Sequence, residues 1–289
     1  MTKTLHRTVR RGVSAGEPIP IPWEVFKKNS IEPRRGSITM IAAPPGGMKS
    51  TLALNIAHII GDVPIMYHSS DSDDFTMASR TLAMLTGKTT DETELLVMGQ
   101  SDLAHDILKD FEHVRWSFRS SPTIDHMKLE AEAYREIEGT YPYVTFLDIM
   151  MDVDYPGVPE QNYWALMAEL KDMARDQETA LIVIHHTSES AKPGSPPPRA
   201  AIMGKANQLP ALIITLWGDS RKEELQGAVV KNRFGPQDAM ANDVFWMKAQ
   251  PSIMKISDMD QKAEISISFR DGPKVPAHEK INNTVDVEF

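Results

Sequence analysis

Short apolar segments alternate with amphipathic segments along most of the chain. The apolar segments lack the alternating polarity of a half-exposed strand, which is typical of strands buried on both faces of a parallel sheet. Between them, apolar residues recur with helical spacing, so the pattern predicts an α/β fold with helices on both faces of a mostly parallel sheet. The predicted strands are Ser37–Ala42, Val63–Tyr67, Val114–Phe118, Val144–Ile149, Leu181–His185 and Leu212–Leu216, and the predicted helices are Lys49–Ile60, Phe75–Leu85, Ile124–Glu138 and Glu160–Asp176.

The pattern changes after Gln226, where short strands follow one another without helices between them. Such a run predicts an antiparallel extension at one edge of the sheet. We therefore expect a basic arm and linker over 1–35, a core over 36–270 and a flexible tail over 271–289, with Trp23 of the linker docked on the core. The predicted strands of the extension are Gly227–Val230, Val244–Met247, Ile253–Ile256 and Ile265–Phe269.

A glycine-rich segment, APPGGMKST over 43–51, lies between the first predicted strand and the first predicted helix. This context is typical of a phosphate-binding loop, because backbone N–H groups and the positive end of the helix dipole bind an oxyanion. In such a loop Lys49 reaches the β- and γ-phosphates, and the Ser50 hydroxyl binds Mg²⁺. The predicted nucleotide-binding residues are Pro45, Gly46, Gly47, Met48, Lys49, Ser50 and Thr51.

The segment departs from the usual G-x-x-x-x-G-K-[ST] pattern at two positions, Ala43 and Met48. The residue before the lysine often needs a backbone conformation that favours glycine. We therefore expect either a locally different loop or a strained Met48. An ordinary Pro/Gly turn between a strand and a helix is the alternative interpretation.

Carboxylates follow two other predicted strands. Asp148 ends the apolar run Tyr143–Leu147, which has the form of a Walker B strand whose carboxylate holds Mg²⁺ through water beside Ser50. Asp71 follows another strand and is the candidate base that activates the attacking water. The alternative for Asp71 is a helix cap, a role that we assign instead to Asp73 or Asp74.

A histidine pair, His185 and His186, ends a further strand. A polar residue at this strand tip can contact the γ-phosphate and report its presence to the following loop, and we assign this role to His186. Neighbouring residues on a strand point to opposite faces, so we do not expect the two histidines to bind one metal ion.

The cysteine count, the net charge and the length of the apolar stretches exclude several classes of function. The chain has 289 residues, no cysteine and a formal net charge of -9. No apolar stretch is long enough to span a bilayer and no signal-peptide pattern is visible, so we expect a cytoplasmic protein without disulfides or a membrane partner. The negative charge argues against a protein that coats nucleic acid with its whole surface. The first 16 residues are basic, with Lys3, Arg7, Arg10 and Arg11, and form either a mobile arm that binds a partner or a solvated terminus.

Between Ile31 and Ile256 the chain resembles RecA-fold P-loop ATPases, and most closely the ATPase domain of DnaB-type hexameric helicases and related phage and plasmid RepA-like proteins. The resemblance rests on the loop over 43–51, on the two strand–acid segments ending at Asp71 and Asp148, and on VVKNRFGP over 229–236. The last segment resembles the K-x-R-x-G-P element of the DnaB family. The chain departs from the helicase pattern at Met48, Asp71 and His186, where Gly, Glu and Gln are usual.

The resemblance implies ATP as substrate, Mg²⁺ as cofactor and a homo-oligomer. Lys231 and Arg233 would reach into the ATP site of a neighbouring copy and stabilise charge on the γ-phosphate. A repeating head-to-tail interface closes into a ring or opens into a filament, and we favour a ring hexamer. A basic turn with Gly235 and Pro236 at its corner is the alternative for this segment.

In proteins of this fold, DNA contacts come from loops at the strand tips. The segment Met151–Asn162 is acidic and a poor phosphate binder. The segment Thr187–Gly204 and the residue after it are basic, which suits contact with a nucleic-acid backbone, although a surface loop without a partner is the alternative. The candidate DNA-binding residues are Lys192, Arg199 and Lys205.

We therefore expect an ATP-dependent motor on DNA, single-stranded or forked, with catalytic residues Lys49, Asp71, Asp148, His186, Lys231 and Arg233. A RecA-like recombinase or annealing protein would have the same fold. A metal-dependent, structure-specific nuclease is suggested by Asp71, Asp148, Asp152, Asp154 and the histidine pair. A loader or adaptor that binds ATP without turnover is the fourth possibility.

Overall fold

The computed structural model describes residues 16–109, 111–157, 163–188 and 194–259. Within these ranges the strands form one sheet in the order β3-β2-β4-β5-β1-β6-β7-β8-β9. The strands are β1 Ser37–Ala43, β2 Ile65–Ser69, β3 Val114–Ser117, β4 Val144–Asp148, β5 Ala180–His186, β6 Leu212–Asp219, β7 Glu224–Asn232, β8 Phe245–Gln250 and β9 Lys255–Asp258. The helices are α1 Glu24–Lys28, α2 Lys49–Ile59, α3 Asp74–Thr86, α4 Thr90–Met98, α5 Asp102–Lys109, α6 Ile124–Glu138 and α7 Trp164–Asp176.

The sheet is parallel from β3 to β6 and antiparallel from β6 to β9. This arrangement confirms the predicted mostly parallel sheet with an antiparallel edge. Because β1, β2, β4 and β5 are parallel, their carboxyl ends meet at one edge of the sheet, where ligands of open α/β sheets usually bind.

Two hydrophobic clusters cover the two faces of the sheet. Along β1, Ile41 and Ala43 pack in one cluster with residues of α2, whereas Ile38, Met40 and Ala42 pack in the other with residues of α6 and α7. This alternation is the period of two expected for a strand that is buried on both sides.

The segment before β1 belongs to the first of these clusters. Ile19, Ile21 and Trp23 are buried there, and Trp23 makes an edge-to-face contact with Phe26 at a centroid distance of 5.0 Å. The structure therefore has Trp23 docked on the core, as the sequence predicted. The predicted arm before residue 16 and the predicted strand Ile265–Phe269 with the tail lie outside the described residues.

Helices α1, α4 and α5 were not predicted from the sequence. Helix α4 begins with a capping box, in which the Thr89 side chain accepts the N–H of Glu92 and the Glu92 side chain accepts the N–H of Thr89. Much of its surface is exposed, and Leu95 and Met98 lie in solvent. The local cap rather than an amphipathic pattern therefore marks where this helix begins.

No helix in the described part of the chain has the length and apolar character needed to cross a membrane.

Candidate nucleotide-binding site

A cavity of about 690 Å³ opens at the carboxyl edge of the parallel strands. A volume of this size lies within the usual range for sites that bind small molecules. The residues that line it come from the glycine-rich loop, from the tips of β2, β4 and β5, from α3 and from the β8–β9 turn. They include Pro45, Gly46, Gly47, Met48, Lys49, Ser50, Thr51, Asp71, Arg80, Asp148, Asp152, His186, Ser220, Pro251 and Met254.

The glycine-rich loop connects β1 to α2 in a conformation that explains its composition. A Cβ atom at Gly47 would lie 2.6 Å from the Ala43 Cβ and 2.9 Å from the Pro44 carbonyl oxygen, so a side chain does not fit there. Met48 has a φ of 61° and a ψ of 24°, which is left-handed backbone at the cap of α2. This conformation costs a non-glycine residue about 1–2 kcal/mol. Of the two expectations, a locally different loop or a strained Met48, the structure therefore fits the strained Met48.

Lys49 is buried in the cavity wall, with 6% of its surface exposed. Its Nζ atom donates a hydrogen bond of 3.0 Å to the Pro44 carbonyl, which folds the side chain back over the loop. Burial lowers the pKa of Lys49 to about 8, although the carboxylates of Asp148 and Asp71 act in the opposite direction. An anionic ligand in the loop would relieve this burial cost and favour the charged ammonium.

Asp148 lies at the tip of β4 and connects the two halves of the site. Its Oδ1 atom accepts a 3.0 Å hydrogen bond from the Ser50 hydroxyl, and its Oδ2 atom accepts one of 3.0 Å from the Tyr67 hydroxyl. Burial raises the pKa of Asp148, and the two hydrogen bonds oppose that rise. A hydroxyl and a carboxylate oxygen at this separation are a donor set that suits Mg²⁺, so these residues fit the predicted ion.

Asp71 and His186 both line the cavity, as predicted from their positions after β2 and at the end of β5. The Nδ1 atom of His186 is buried and has no hydrogen-bond partner among the described residues. Burial, followed by the charge of Lys49, lowers the pKa of His186, so its imidazole is neutral at neutral pH. A neutral imidazole donates one hydrogen bond, so His186 can bond to a phosphate oxygen in the tautomer whose proton is on the nitrogen facing that oxygen.

Two neighbouring residues have the structural roles that the sequence suggested. Asp73 caps α3 by accepting the N–H of Thr76 at 2.8 Å, which leaves Asp71 free of that role. His185 points to the opposite face, where its Nε2 atom lies 3.0 Å from the Met203 carbonyl oxygen. Because His185 and His186 face opposite sides of the sheet, they do not form one metal site.

Sequence reasoning missed Arg80 and Tyr67. Arg80 lies on α3, lines the cavity and donates a 3.0 Å hydrogen bond to the Ser72 hydroxyl. A single arginine on a helix usually belongs to a solvated face, so its sequence position carried no signal. Tyr67 is fully buried and looked like a core residue, although its hydroxyl holds Asp148.

Lys231 and Arg233 lie away from this cavity. In the antiparallel pairing, Lys231 is opposite Ile213 at the amino end of β6, whereas the cavity lies at the carboxyl end of the neighbouring strand β1. The Nζ atom of Lys231 donates to the carbonyls of Asn207 and Gln208, at 3.2 Å and 2.7 Å. Neither residue can therefore contact the loop of its own chain.

The basic residues of this region form a cluster at the amino end of β6. Burial, followed by the charges of Arg233, Arg199 and Lys171, lowers the pKa of Lys231 to about 8. Arg199 is tied to the same region, because its carbonyl accepts a 3.1 Å hydrogen bond from the Asn207 side chain. Lys205 is exposed nearby in the chain and has a φ of 58°. Lys192 lies outside the described residues.

The described residues contain no group of three or more His, Cys, Asp or Glu side chains arranged to hold a metal ion. Of the residues that suggested a two-metal nuclease, Asp71, Asp148, Asp152 and His186 share the cavity without forming such a group. His185 in particular lies on the far side of β5.

The chain is similar in sequence to two phage proteins. No family model matches the chain. Two phage proteins named "Gene 65 protein" are each 28% identical to it: one from Mycobacterium phage L5, over 85% of this chain and 94% of that protein, and one from Mycobacterium phage D29, over 77% and 100%.

Three solved structures share its architecture. One is an ATPase domain with a TM-score of 0.73 and 13% identity, over 88% of this chain and 96% of that one. A DnaB-like replicative helicase, solved in a study of its interactions with primase, has a TM-score of 0.73 with 12% identity, over 88% and 66%. The RadB recombinase has a TM-score of 0.54 with 11% identity, over 84% and 100%. The chain has the RecA-like fold of P-loop ATPases, as its sequence predicted.

Proposed function

We propose that this chain is an ATP-hydrolysing motor that acts on DNA, and that its active sites form between adjacent copies. The observation that carries the proposal is the hydrogen bond between Ser50 and Asp148, beside the buried Lys49 in one cavity. These residue types at the ends of adjacent elements are what Mg²⁺-dependent triphosphate hydrolysis requires. Mg²⁺, bound by Ser50 and by Asp148 through water, would neutralise charge on the phosphates.

The other side chains of the cavity would bind the phosphates, accept a proton and contact the γ-phosphate. Lys49 would leave the Pro44 carbonyl and bind the β- and γ-phosphate oxygens. Asp71 would accept the proton of the attacking water, and His186 would contact the γ-phosphate and relay its presence to the segment after β5. Arg80, which shares the cavity, adds a further positive charge.

Lys231 and Arg233 support the oligomer in this proposal. They lie at the amino end of β6, so only another copy can bring them to a phosphate in this cavity. We favour a closed ring of six over a filament, because the sequence resembles DnaB-type hexameric helicases most closely. Arg199 and Lys205, with Lys192, are the candidate contacts to a single-stranded or forked DNA backbone.

Phosphate release with and without single-stranded and forked DNA tests the proposal. Wild-type protein should hydrolyse ATP faster with DNA, whereas Lys49→Ala should lower turnover at least about 10²-fold, because it removes the cation that holds the transferred group. Lys88→Ala is the matched control, since Lys88 is exposed after α3 and should leave turnover unchanged. Equal turnover by wild type and Lys49→Ala would refute the proposed site, and ATP binding without turnover would instead favour a loader or adaptor.

A recombinase or annealing protein is the second candidate, supported by the similarity to the RadB recombinase. Electron microscopy of the protein with an ATP analogue and single-stranded DNA separates the two. Closed rings would favour the motor, and filaments whose length follows the DNA would favour the recombinase.

A further inference from the structure

The turn between β8 and β9 forms an apolar part of the cavity wall. It consists of a short 3-10 segment, Pro251–Ile253, followed by Met254 in left-handed backbone with a φ of 54°. Pro251 and Met254 line the cavity, and Ser220 from the turn after β6 lines it as well. Apart from the Ser220 hydroxyl, this wall is apolar.

One side chain, Asn55 of α2, holds this turn in position. Its Nδ2 atom donates hydrogen bonds of 2.8 Å to the Met254 carbonyl and 2.8 Å to the Thr51 carbonyl. Its Oδ1 atom accepts the N–H of Ile256 at 2.9 Å. Asn55 is 5% exposed, so both of its donors and its acceptor are satisfied by protein groups with little access to water.

These contacts fix the turn at a defined distance from the phosphate-binding loop. Asn55 follows Lys49 by six residues on the same helix, which corresponds to about 9 Å along its axis. In the proposed function the loop at the start of α2 binds the phosphates, and Pro251 and Met254 of the turn that Asn55 holds line another part of the same cavity. An apolar wall with a single hydroxyl is suited to the flat face of a nucleobase rather than to a charged group.

We infer that Asn55 is a positioning residue that holds Pro251 and Met254 as the wall against which the nucleobase packs. The inference rests on the proposed function, since it assigns the base end of the same nucleotide site. Asn55 contacts no nucleotide atom itself and acts through the turn.

Titration calorimetry with Mg²⁺ and either ATP or inorganic triphosphate, which has no base, tests the inference. Asn55→Ala should weaken ATP binding about tenfold, because a buried three-hydrogen-bond anchor is lost, and should leave the dissociation constant for triphosphate unchanged. Asn29→Ala is the matched control, because Asn29 donates a 2.8 Å hydrogen bond to the Val25 carbonyl on α1, away from the cavity. It should change neither constant.

A second variant, Met254→Gly, tests the inference in case Asn55→Ala does not fold. Met254→Gly keeps the backbone conformation, because glycine adopts a positive φ without strain, and removes only the side chain of the wall. It should weaken ATP binding severalfold and again spare triphosphate.

Unchanged ATP binding in both variants would overturn the inference, as would equal weakening of ATP and triphosphate. Failure of the wild-type protein to bind either compound would instead refute the proposed nucleotide site itself. The two failures are therefore distinguishable.

Discussion

Two groups of candidate functional residues lie at opposite sides of the same sheet, one at the carboxyl ends and one at the amino ends of its parallel strands. At the carboxyl edge, Lys49 and Ser50 at the start of α2 and Asp148 at the end of β4 line one cavity. At the other end, Lys231 and Arg233 are near Arg199 and Lys171 and far from any phosphate-binding loop of their own chain. The first group is complete within one copy, whereas the second has no use within one copy under the proposed function.

The difference has a topological cause. Parallel strands bring their carboxyl ends to one edge of the sheet. Residues at the ends of β1, β2, β4 and β5 therefore lie close together as a direct result of the strand arrangement. The antiparallel strand β7 runs the other way, so a residue at its end is carried to the far edge. Under the proposed function, a residue on β7 therefore serves a second copy. One prediction tests this second group of residues, and two test the first group.

The largest expected effect is on Arg233. Arg233→Ala should leave ATP binding intact but lower turnover about 10³-fold or more, as expected when a cation supplied by a neighbouring copy is lost. Mixing it with Asp148→Asn, which is inactive for a different reason, should restore part of the turnover, because some interfaces then combine an intact cavity with an intact arginine. Phosphate release across mixing ratios measures this.

Arg115→Ala serves as the control for Arg233, because Arg115 is exposed on the edge strand β3 and pairs only with Glu138 at 3.1 Å among the described residues. It should retain turnover. Absence of any rescue in the mixture would mean that the two groups of residues do not meet across an interface.

A smaller effect concerns the protonation of Lys49. Its pKa of about 8 lies below the ordinary value of 10.5 because the side chain is buried, so its charge is lost as the pH rises through 8. Only the ammonium attracts phosphate, so the dissociation constant for ATP should increase by up to about tenfold between pH 8 and pH 9. In Lys49→Arg the guanidinium stays charged, and the constant should remain flat over the same interval. A steep rise in both proteins would exclude Lys49 as the titrating group.

The smallest expected effect is at Met48. Met48→Gly should relieve about 1 kcal/mol of backbone strain at a φ of 61°, partly offset by the lost packing of the methionine side chain against the first hydrophobic cluster. Thermal unfolding should therefore shift by only a few degrees, and ATP affinity by less than about threefold. A large loss of affinity would indicate that the methionine side chain itself contacts the nucleotide.

Much of the fold was predictable from the sequence, because strands buried on both faces and helices with a clear periodicity carry strong signals. The capping box at Thr89 could have located α4, whose exposed surface gives little periodicity. The bounds of β6 and β7 were predicted too short, because the half-buried residues 217–219 at the end of β6 pair with residues 224–226 at the start of β7 beyond the predicted apolar runs.

The site was predictable to the extent that its residues follow strand tips. Lys49, Asp71, Asp148 and His186 were predicted, and all four line one cavity. Asn55, Arg80 and Tyr67 were not, because their importance arises from partners distant in the sequence: Asn55 meets Met254 and Ile256 only after β9 joins the sheet. Such contacts leave no local pattern.

The two carbonyl bonds of Lys231 have a further consequence for assembly. Its ammonium already donates hydrogen bonds to the carbonyls of Asn207 and Gln208, at the end of the 203–208 segment. Under the proposed function, these hydrogen bonds must break before Lys231 can contact a neighbour's triphosphate. Docking of a neighbour and release of that segment would then be one event. Under the proposed function, the nucleotide of an adjacent copy would thus release a segment that carries Lys205, a candidate DNA contact.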